Sequence, residues 1–219
     1  MNTKTLKRLP LFSGMTETEL AEALTVLRAE ERSYQKEEIL LHAGSVTERM
    51  GIVLSGSVSI ESSDVWGNRT ILSHVGVGGM FAETYALLSG EPMLVDVVAN
   101  EDCRVLFLRS GSLQTLRSRG GGWIMQFMAN LLMISAHKNL TLSSRSFHTA
   151  PKSVRGRVMS YLNARMLRKG SNEFDIPFDR QQLADYLNVE RTALSKELGR
   201  MRRDGLIDFR KNQFVLKEI

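Results

Sequence analysis

The sequence predicts an α+β chain with three parts: an N-terminal jelly-roll β-barrel, one long apolar helix and a C-terminal winged helix-turn-helix. Three observations carry that reading. Between about Ser33 and Leu108 the apolar residues come in short strand-like runs separated by turn signals, the pattern of a sandwich or jelly roll. From Trp123 to about Leu142 they recur at helical spacing without a break. From Phe178 to Leu216 two short helical segments are followed by two alternating runs.

Taken in order, the chain opens with an apolar stretch, Leu9-Pro10-Leu11-Phe12, before a helix. Thr16 and Glu19 have the spacing of a capping box, and Leu20, Leu24 and Leu27 follow on one face. Strand runs are expected at Glu38–His42, Met50–Leu54, Val58–Ile60, Thr70–Val75, Met93–Ala99 and Cys103–Leu108. Turns are expected at Ala43-Gly44-Ser45, Ser55-Gly56, Trp66-Gly67-Asn68, Gly76-Val77-Gly78-Gly79 and Asn100-Glu101-Asp102. The long helix carries two adjacent stripes, Ile124, Phe127, Leu131 and Ile134 beside Met128, Leu132 and Ser135. A helix with that much apolar surface is buried in its own chain or packed on a partner. Ser143 to Ala150 reads as a hinge before Pro151, and Lys152, Arg155 and Arg157 open the next helix as candidates for phosphate contact.

Composition narrows the class. The chain has 219 residues, 42% hydrophobic and 24% charged, ordinary values for a globular protein. No apolar run approaches the roughly 18 residues of a membrane helix, and the N-terminus lacks a signal-peptide segment, so a cytoplasmic protein without membrane contact is expected. The formal net charge is +5, and it is unevenly placed. Residues 150–219 hold 15 Lys and Arg against 9 Asp and Glu, whereas residues 1–149 hold 14 against 15. The whole basic excess lies with the helix-turn-helix, as phosphate binding requires, although a solvated basic surface gives the same count.

The C-terminal stretch carries the chemistry. Asp179 and Gln182 form a near capping box; Leu183, Ala184 and Leu187 give the first helix its apolar face; Asn188 tolerates the left-handed backbone of a sharp turn. Leu194, Leu198 and Met201 face inward on the second helix, which leaves Thr192, Ser195, Lys196 and Gly199 on the other side, with Arg191 in the first turn. Arg and Lys bind guanine acceptors or phosphate, and Ser and Thr reach either. A plain helical hairpin with a polar outer face shares this pattern; the runs Leu206–Phe209 and Gln213–Leu216, around Arg210-Lys211-Asn212, add the wing that such a hairpin lacks.

The stretch DRQQLADYLNVERTALSKELGRMRRDGLIDFRKNQFVL resembles the DNA-binding domain of the Crp/Fnr family of bacterial transcription regulators, and the resemblance continues upstream over nearly the whole chain. It implies an effector-binding β-roll at 1–119, a dimerisation helix and hinge at 120–149 and a DNA-binding domain at 150–219. It places Arg191, Thr192, Ser195 and Lys196 at base-reading positions; Arg180 and Gln181, by their place at the start of the first helix, are candidates for phosphate contact. The partners implied are double-stranded DNA as an inverted repeat, a second copy of the chain through Ile124, Phe127, Met128, Leu131, Leu132 and Ser135, and RNA polymerase. Two departures stand out: Glu190 replaces a small capping Ser, and Thr192 replaces a Glu that many members carry.

Gly76 to Leu94 resembles the phosphate-binding cassette of cyclic-nucleotide domains, in which a glycine and a glutamate open a short helix and an Arg-Ser pair holds the cyclic phosphate. Glu83 is present, but Ala82 replaces the glycine, and Met93 and Leu94 replace the Arg-Ser pair. Neither of those side chains can pair a buried phosphate charge, so tight binding of cyclic AMP is not expected. Two alternatives remain open: a different small-molecule effector contacted by Phe81, Glu83, Tyr85, Met93 and Leu94, or a closed, vestigial pocket and constitutive DNA binding. No cofactor is identified. The lone Cys103 rules out an intrachain disulfide or cysteine-held iron–sulfur cluster and reads as core. His42, His74, His137 and His148 form no His-x-His pair, and a lone His such as His74 on a strand is usually structural rather than a haem ligand; a cupin-like metal-binding jelly roll or small-molecule enzyme stands as the alternative class, with no metal spacing or catalytic group of side chains to support it.

Overall fold

The computed structural model describes residues 3–63, 69–88, 90–109 and 121–217. The expected turn at Trp66-Gly67-Asn68 lies outside the described residues. The chain divides into two compact units, Met1–Ile134 and Ser135–Ile219.

In the first unit, α1 (Thr3–Leu6) and a short 3-10 turn at Pro10–Phe12 lead into α2 (Glu17–Val26). The expected capping box starts α2: Glu19 N–H donates to Thr16 Oγ1 at 3.2 Å, and the Glu19 carboxylate accepts from Thr16 N–H at 2.8 Å. Among the described residues, eight strands follow: β1 (Glu30–Tyr34), β2 (Ile39–Leu41), β3 (Arg49–Ser55), β4 (Val58–Ser63), β5 (Arg69–Val75), β6 (Met80–Phe81), β7 (Asp96–Ala99) and β8 (Cys103–Arg109). They form two antiparallel sheets, ordered β1-β8-β3-β6 and β2-β7-β4-β5. The helix α3 (Glu83–Leu88) follows β6.

Each sheet sends its apolar residues into a space between them, where Leu40, Leu41, Val53, Val58, Phe81, Met93, Val97, Cys103, Val105 and Phe107 form one core. The outer face of the first sheet has a second core. Met50, Ile52, Leu106 and Leu108 pack there against Leu20, Ala23, Leu24, Trp123, Phe127 and Leu131. β8 is thus apolar on both faces, which is why its sequence is a continuous hydrophobic run rather than an alternation. Cys103 is buried, as expected of a core residue, and burial pushes its thiol pKa up.

Several expectations are corrected. β1 escapes the sequence reading because four of its five residues are exposed, leaving no alternation to find. The run Met93–Ala99 is a strand only from Asp96; Met93 instead bonds Gly44 and Ser45 through its backbone, with Gly44 N–H donating at 2.7 Å. The long helix α4 runs from Trp123 to Thr149, so Ser143–Thr149 is helical rather than an irregular hinge. Hydroxyls there bond the preceding turn, Ser144 to the Leu140 carbonyl at 2.8 Å and Thr149 to that of Arg145 at 2.9 Å.

The second unit holds α5 (Val154–Lys169), β9 (Glu173–Asp175), α6 (Arg180–Leu187), α7 (Arg191–Arg203), β10 (Ile207–Arg210) and β11 (Gln213–Leu216). The expected hairpin is present, Ile207 opposite Leu216 through Arg210 opposite Gln213, and its tip carries Lys211 at φ 57°. β9 adds a third strand beside β11 that the sequence pattern did not reveal. The three helices and this sheet enclose Val158, Leu162, Phe174, Leu183, Ala184, Leu187, Leu194, Leu198, Met201, Ile207 and Phe214.

Candidate nucleic-acid interface and effector region

The helix-turn-helix forms for local reasons that are legible in its bonds. Asp179 caps α6 by accepting from Gln182 N–H at 2.8 Å, and Gln182 returns the bond to Asp179 N–H at 2.9 Å. α6 ends at Asn188, which takes the left-handed conformation at φ 52°. On α7, Leu194, Leu198 and Met201 are fully buried, while Arg191, Thr192, Ser195 and Lys196 are exposed. Of the residues expected on the outer side of α7, only Gly199 is half-buried.

The end of α6 is held by two arginines, Arg145, which sequence reasoning missed, and Arg157, whose role it misread. Arg145 donates to the carbonyls of Asp185 at 2.9 Å and Tyr186 at 3.0 Å. Arg157 donates to those of Leu187 at 3.2 Å and Asn188 at 2.7 Å, and to Pro151 at 2.9 Å. The carbonyls of four consecutive residues at a helix C-terminus, where the macrodipole is negative, thus each receive a guanidinium N–H. These bonds join residues 30 to 41 apart in sequence, which no local motif signals. Arg155 is likewise engaged within the domain, at 2.6 Å from Glu197 and 2.7 Å from Asp204. Arg155 and Arg157 are thus corrected from phosphate candidates to structural ties between α5 and the helix-turn-helix.

Arg180 and Gln181 are less free than their place at the start of the helix suggests. The Arg180 guanidinium lies over Phe209 at 5.1 Å and Phe214 at 5.9 Å, fastening α6 to the wing. Burial there lowers its pKa from the usual guanidinium value. The Gln181 amide donates to Asp185 at 2.8 Å and remains exposed.

Glu190, unusual as an N-cap, fills that role on α7. Its carboxylate accepts from Thr192 N–H at 3.2 Å and Ala193 N–H at 3.1 Å, and from the Thr192 hydroxyl. The Thr192 hydroxyl and backbone N–H hold the Glu190 pKa below the usual carboxylate value.

Of the five residues expected around an effector, Phe81 and Met93 belong to the core between the sheets. Phe81 lies across Gly51, where a Cβ would come within 2.1 Å of its ring, so a glycine in mid-strand marks this close approach. Glu83 is buried at the start of α3, Tyr85 is half-buried and accepts from Leu94 N–H at 3.3 Å, and the Leu94 side chain is 79% exposed. Ala82 keeps a left-handed backbone, φ 59°, at the position where the cassette has glycine. Two clefts of about 330 and 320 Å³ open in this unit, and none of the five residues lines either.

The stripe proposed for a partner is also corrected. Phe127 and Leu131 are buried in the core of their own chain, and Ile124 and Met128 pack partly against it. Ser135 is half-buried; only Leu132, 69% exposed, is strongly exposed among the six. The exposed large apolar residues of α4 are Leu132 with Met125, Met133, Leu140, Leu142 and Phe147, and Ala129 and Ala136 are exposed as well. Among the described residues, no group of three His, Cys, Asp or Glu could hold a metal ion, and no helix is long and apolar enough to cross a membrane.

The comparisons with known proteins agree with this architecture. Residues 31–119 match the cyclic nucleotide-binding domain family and residues 156–219 the Crp-like helix-turn-helix domain family. Among solved structures, the chain is similar to the c-di-GMP responsive global regulator CLP of Xanthomonas campestris, at 17% identity and TM-score 0.60, covering 93% of this chain and 100% of that one. It is similar to CprK complexed with OCPA, at 15% identity and TM-score 0.61, covering 91% of each chain. It is similar to FixK2 from Bradyrhizobium japonicum, at 22% identity and TM-score 0.53, covering 87% of this chain and 93% of that one. No curated protein matches the sequence. With a family match in each of its two units, the chain belongs to the Crp/Fnr family of transcription regulators, non-catalytic DNA-binding proteins.

Proposed function

We infer that the chain acts as a homodimer that reads an inverted repeat in double-stranded DNA. One observation carries this reading: Arg191, Thr192, Ser195 and Lys196 form the exposed face of α7, opposite the buried Leu194, Leu198 and Met201. Residues 150–219 form the DNA-binding domain, with Arg180 and Gln181 near phosphate at the start of α6. Residues 120–149 form the dimerisation segment. Its seam runs through Met125, Ala129, Leu132, Ala136 and Leu140, which recur at three- and four-residue spacing on the helix. A two-fold dimer places its half-sites about one helical turn, roughly 34 Å, apart.

Residues 1–119 form the effector domain, and its ligand is a small molecule other than cyclic AMP. Effector and DNA then alter each other's affinity by the same factor. A second reading, a constitutive DNA binder with a filled pocket, is favoured by the burial of Phe81 and Met93 in the core. The two readings separate on whether any small molecule changes DNA affinity.

The test is affinity for a random-sequence duplex measured against salt. Wild-type binding should fall steeply with salt, and Arg191→Ala and Lys196→Ala should each reduce the slope by about one if they meet phosphate. Absence of binding at about 50 mM salt would overturn the reading.

A further inference from the structure

Two arginines meet at one end of the β-sandwich. Arg49 begins β3, Arg109 ends β8, and the two stand directly opposite each other in the antiparallel ladder. Side chains alternate along a strand, so both share the inner face with Phe107 rather than the outer face with Met50 and Leu108. Like charges placed directly opposite in a sheet are destabilising. Among the described residues, no hydrogen bond or ion pair takes up either guanidinium.

The surroundings hold the pair without neutralising it. Arg49 lies over the Phe107 ring at 5.3 Å, a contact that leaves its N–H donors unsatisfied. Thr47 is buried and fixes the start of the strand: its hydroxyl donates to the Arg49 carbonyl at 3.2 Å and accepts from Arg49 N–H at 3.1 Å. The Glu30 pKa is lowered first by the bond from Arg32 Nε, at 2.8 Å, and then by the charges of Arg32, Arg49 and Arg109. Glu30 is thus near both arginines but already bonded to a third. The cleft of about 330 Å³ opens beside the pair and is lined by both; of the residues in its wall only Glu48 is acidic. That volume lies at the lower end of small-molecule sites.

We propose that this cleft binds a small molecule carrying a phosphate monoester, gripped between Arg49 and Arg109. Two guanidinium forks need more acceptors than one carboxylate provides. A carboxylate has two oxygens and one charge, whereas a phosphate monoester has three terminal oxygens and close to two charges at pH 7. Leu40 and Val46 offer its organic part an apolar wall. None of Gly76 to Leu94 lines the cleft, so the site is separate from the cassette. It gives the effector domain a ligand class, and it stands whether or not the chain binds DNA.

The experiment is titration of the full chain with inorganic phosphate, phenyl phosphate and benzoate, at constant ionic strength set with chloride. Amide hydrogen exchange resolved along the sequence is the readout, because phosphate also meets the basic C-terminal unit and only the N-terminal peptides report on this cleft. Protection of residues 40–55 and 103–109 should rise about tenfold at ten times the Kd of either phosphate, and benzoate at the same concentration should have little effect. Tighter binding of phenyl phosphate than of inorganic phosphate would assign the site to an ester; equal binding would assign it to the phosphate group alone. Arg109→Gln should weaken phosphate binding at least tenfold and leave ligand-free protection equal or higher, since one of two opposed charges is gone. Arg49→Lys should weaken it too, and Glu48→Gln should tighten it. No rise at about 50 mM phosphate, where a Kd of about 5 mM gives tenfold, overturns the proposal, as does a rise confined to residues 150–219. Lower ligand-free protection in Arg109→Gln with an unchanged response to phosphate also overturns it and leaves the pair structural.

Discussion

Replacing Arg157 by Ala should loosen the helix-turn-helix without touching the exposed face of α7. Arg157 donates to three carbonyls, at 2.9 Å to Pro151, 3.2 Å to Leu187 and 2.7 Å to Asn188. A hydrogen bond from a charged donor contributes about 1.5–3 kcal/mol when buried. These sites are half-exposed and water can replace part of the loss, so about 1 kcal/mol each is the better figure, or about 2–3 kcal/mol in all. The variant also removes positive charge from the negative end of the α6 dipole. Because the chain has two units, amide hydrogen exchange resolved along the sequence is the suitable assay. Protection of peptides spanning residues 183–200 should fall about 30- to 150-fold, while the β-sandwich is unchanged. Arg157→Lys should recover only part, since an ammonium lacks the planar fork that spreads donors over several carbonyls. A change of less than threefold in Arg157→Ala would refute this account of how the turn is held.

Three further outcomes follow from the geometry. On α4, Leu132→Glu should yield a folded monomer by sedimentation, whereas Phe127→Ala should cost the β-sandwich unit about 3–5 kcal/mol in chemical denaturation, because Phe127 is fully buried in its core. Ala82→Gly should stabilise the same unit by about 0.5–1 kcal/mol in chemical denaturation, the relief of left-handed strain exceeding the added unfolded-state entropy. His148 is buried against Tyr161 and Tyr186, with its Nδ1 2.8 Å from the Tyr186 hydroxyl and Arg145 also over the Tyr186 ring. Burial holds its pKa below the usual 6.5, so as pH falls the unfolded chain protonates first. Stability of the winged-helix unit, read as the hydrogen-exchange protection of residues 183–200, should therefore be unaffected by this group above pH 6.5 and decline below it, a slope that His148→Gln should remove.

What was legible in the sequence was mostly what is local. Asp179 with Gln182, Thr16 with Glu19, and Asn188 each specify their backbone through bonds to residues three or four away, and each does so in the structure. The winged hairpin followed from alternation, with Phe214 and Leu216 buried and Gln213 exposed on β11, whereas β3 and β8 are buried on both faces and were legible as short apolar runs between turn signals. The face of α4 was not legible for a physical reason. Both sides of that helix are apolar, so spacing alone does not say which side docks on its own chain; Trp123, Phe127 and Leu131 do, and Met125 and Leu132 do not. The arginine ties were illegible because Arg145 and Arg157 reach carbonyls on another helix, and a basic residue in a basic domain reads equally well as a phosphate contact. The glycine at 51 explains Phe81 only once the ring is seen lying across it.

The most direct test of the central claim, that α7 in a two-fold dimer reads DNA sequence, is selection from random duplexes with the wild-type chain at moderate salt, followed by sequencing of the bound pool. The account predicts an inverted repeat whose half-sites lie about 10 base pairs apart, centre to centre. A pool with no enriched motif, or with a single asymmetric one, would contradict it.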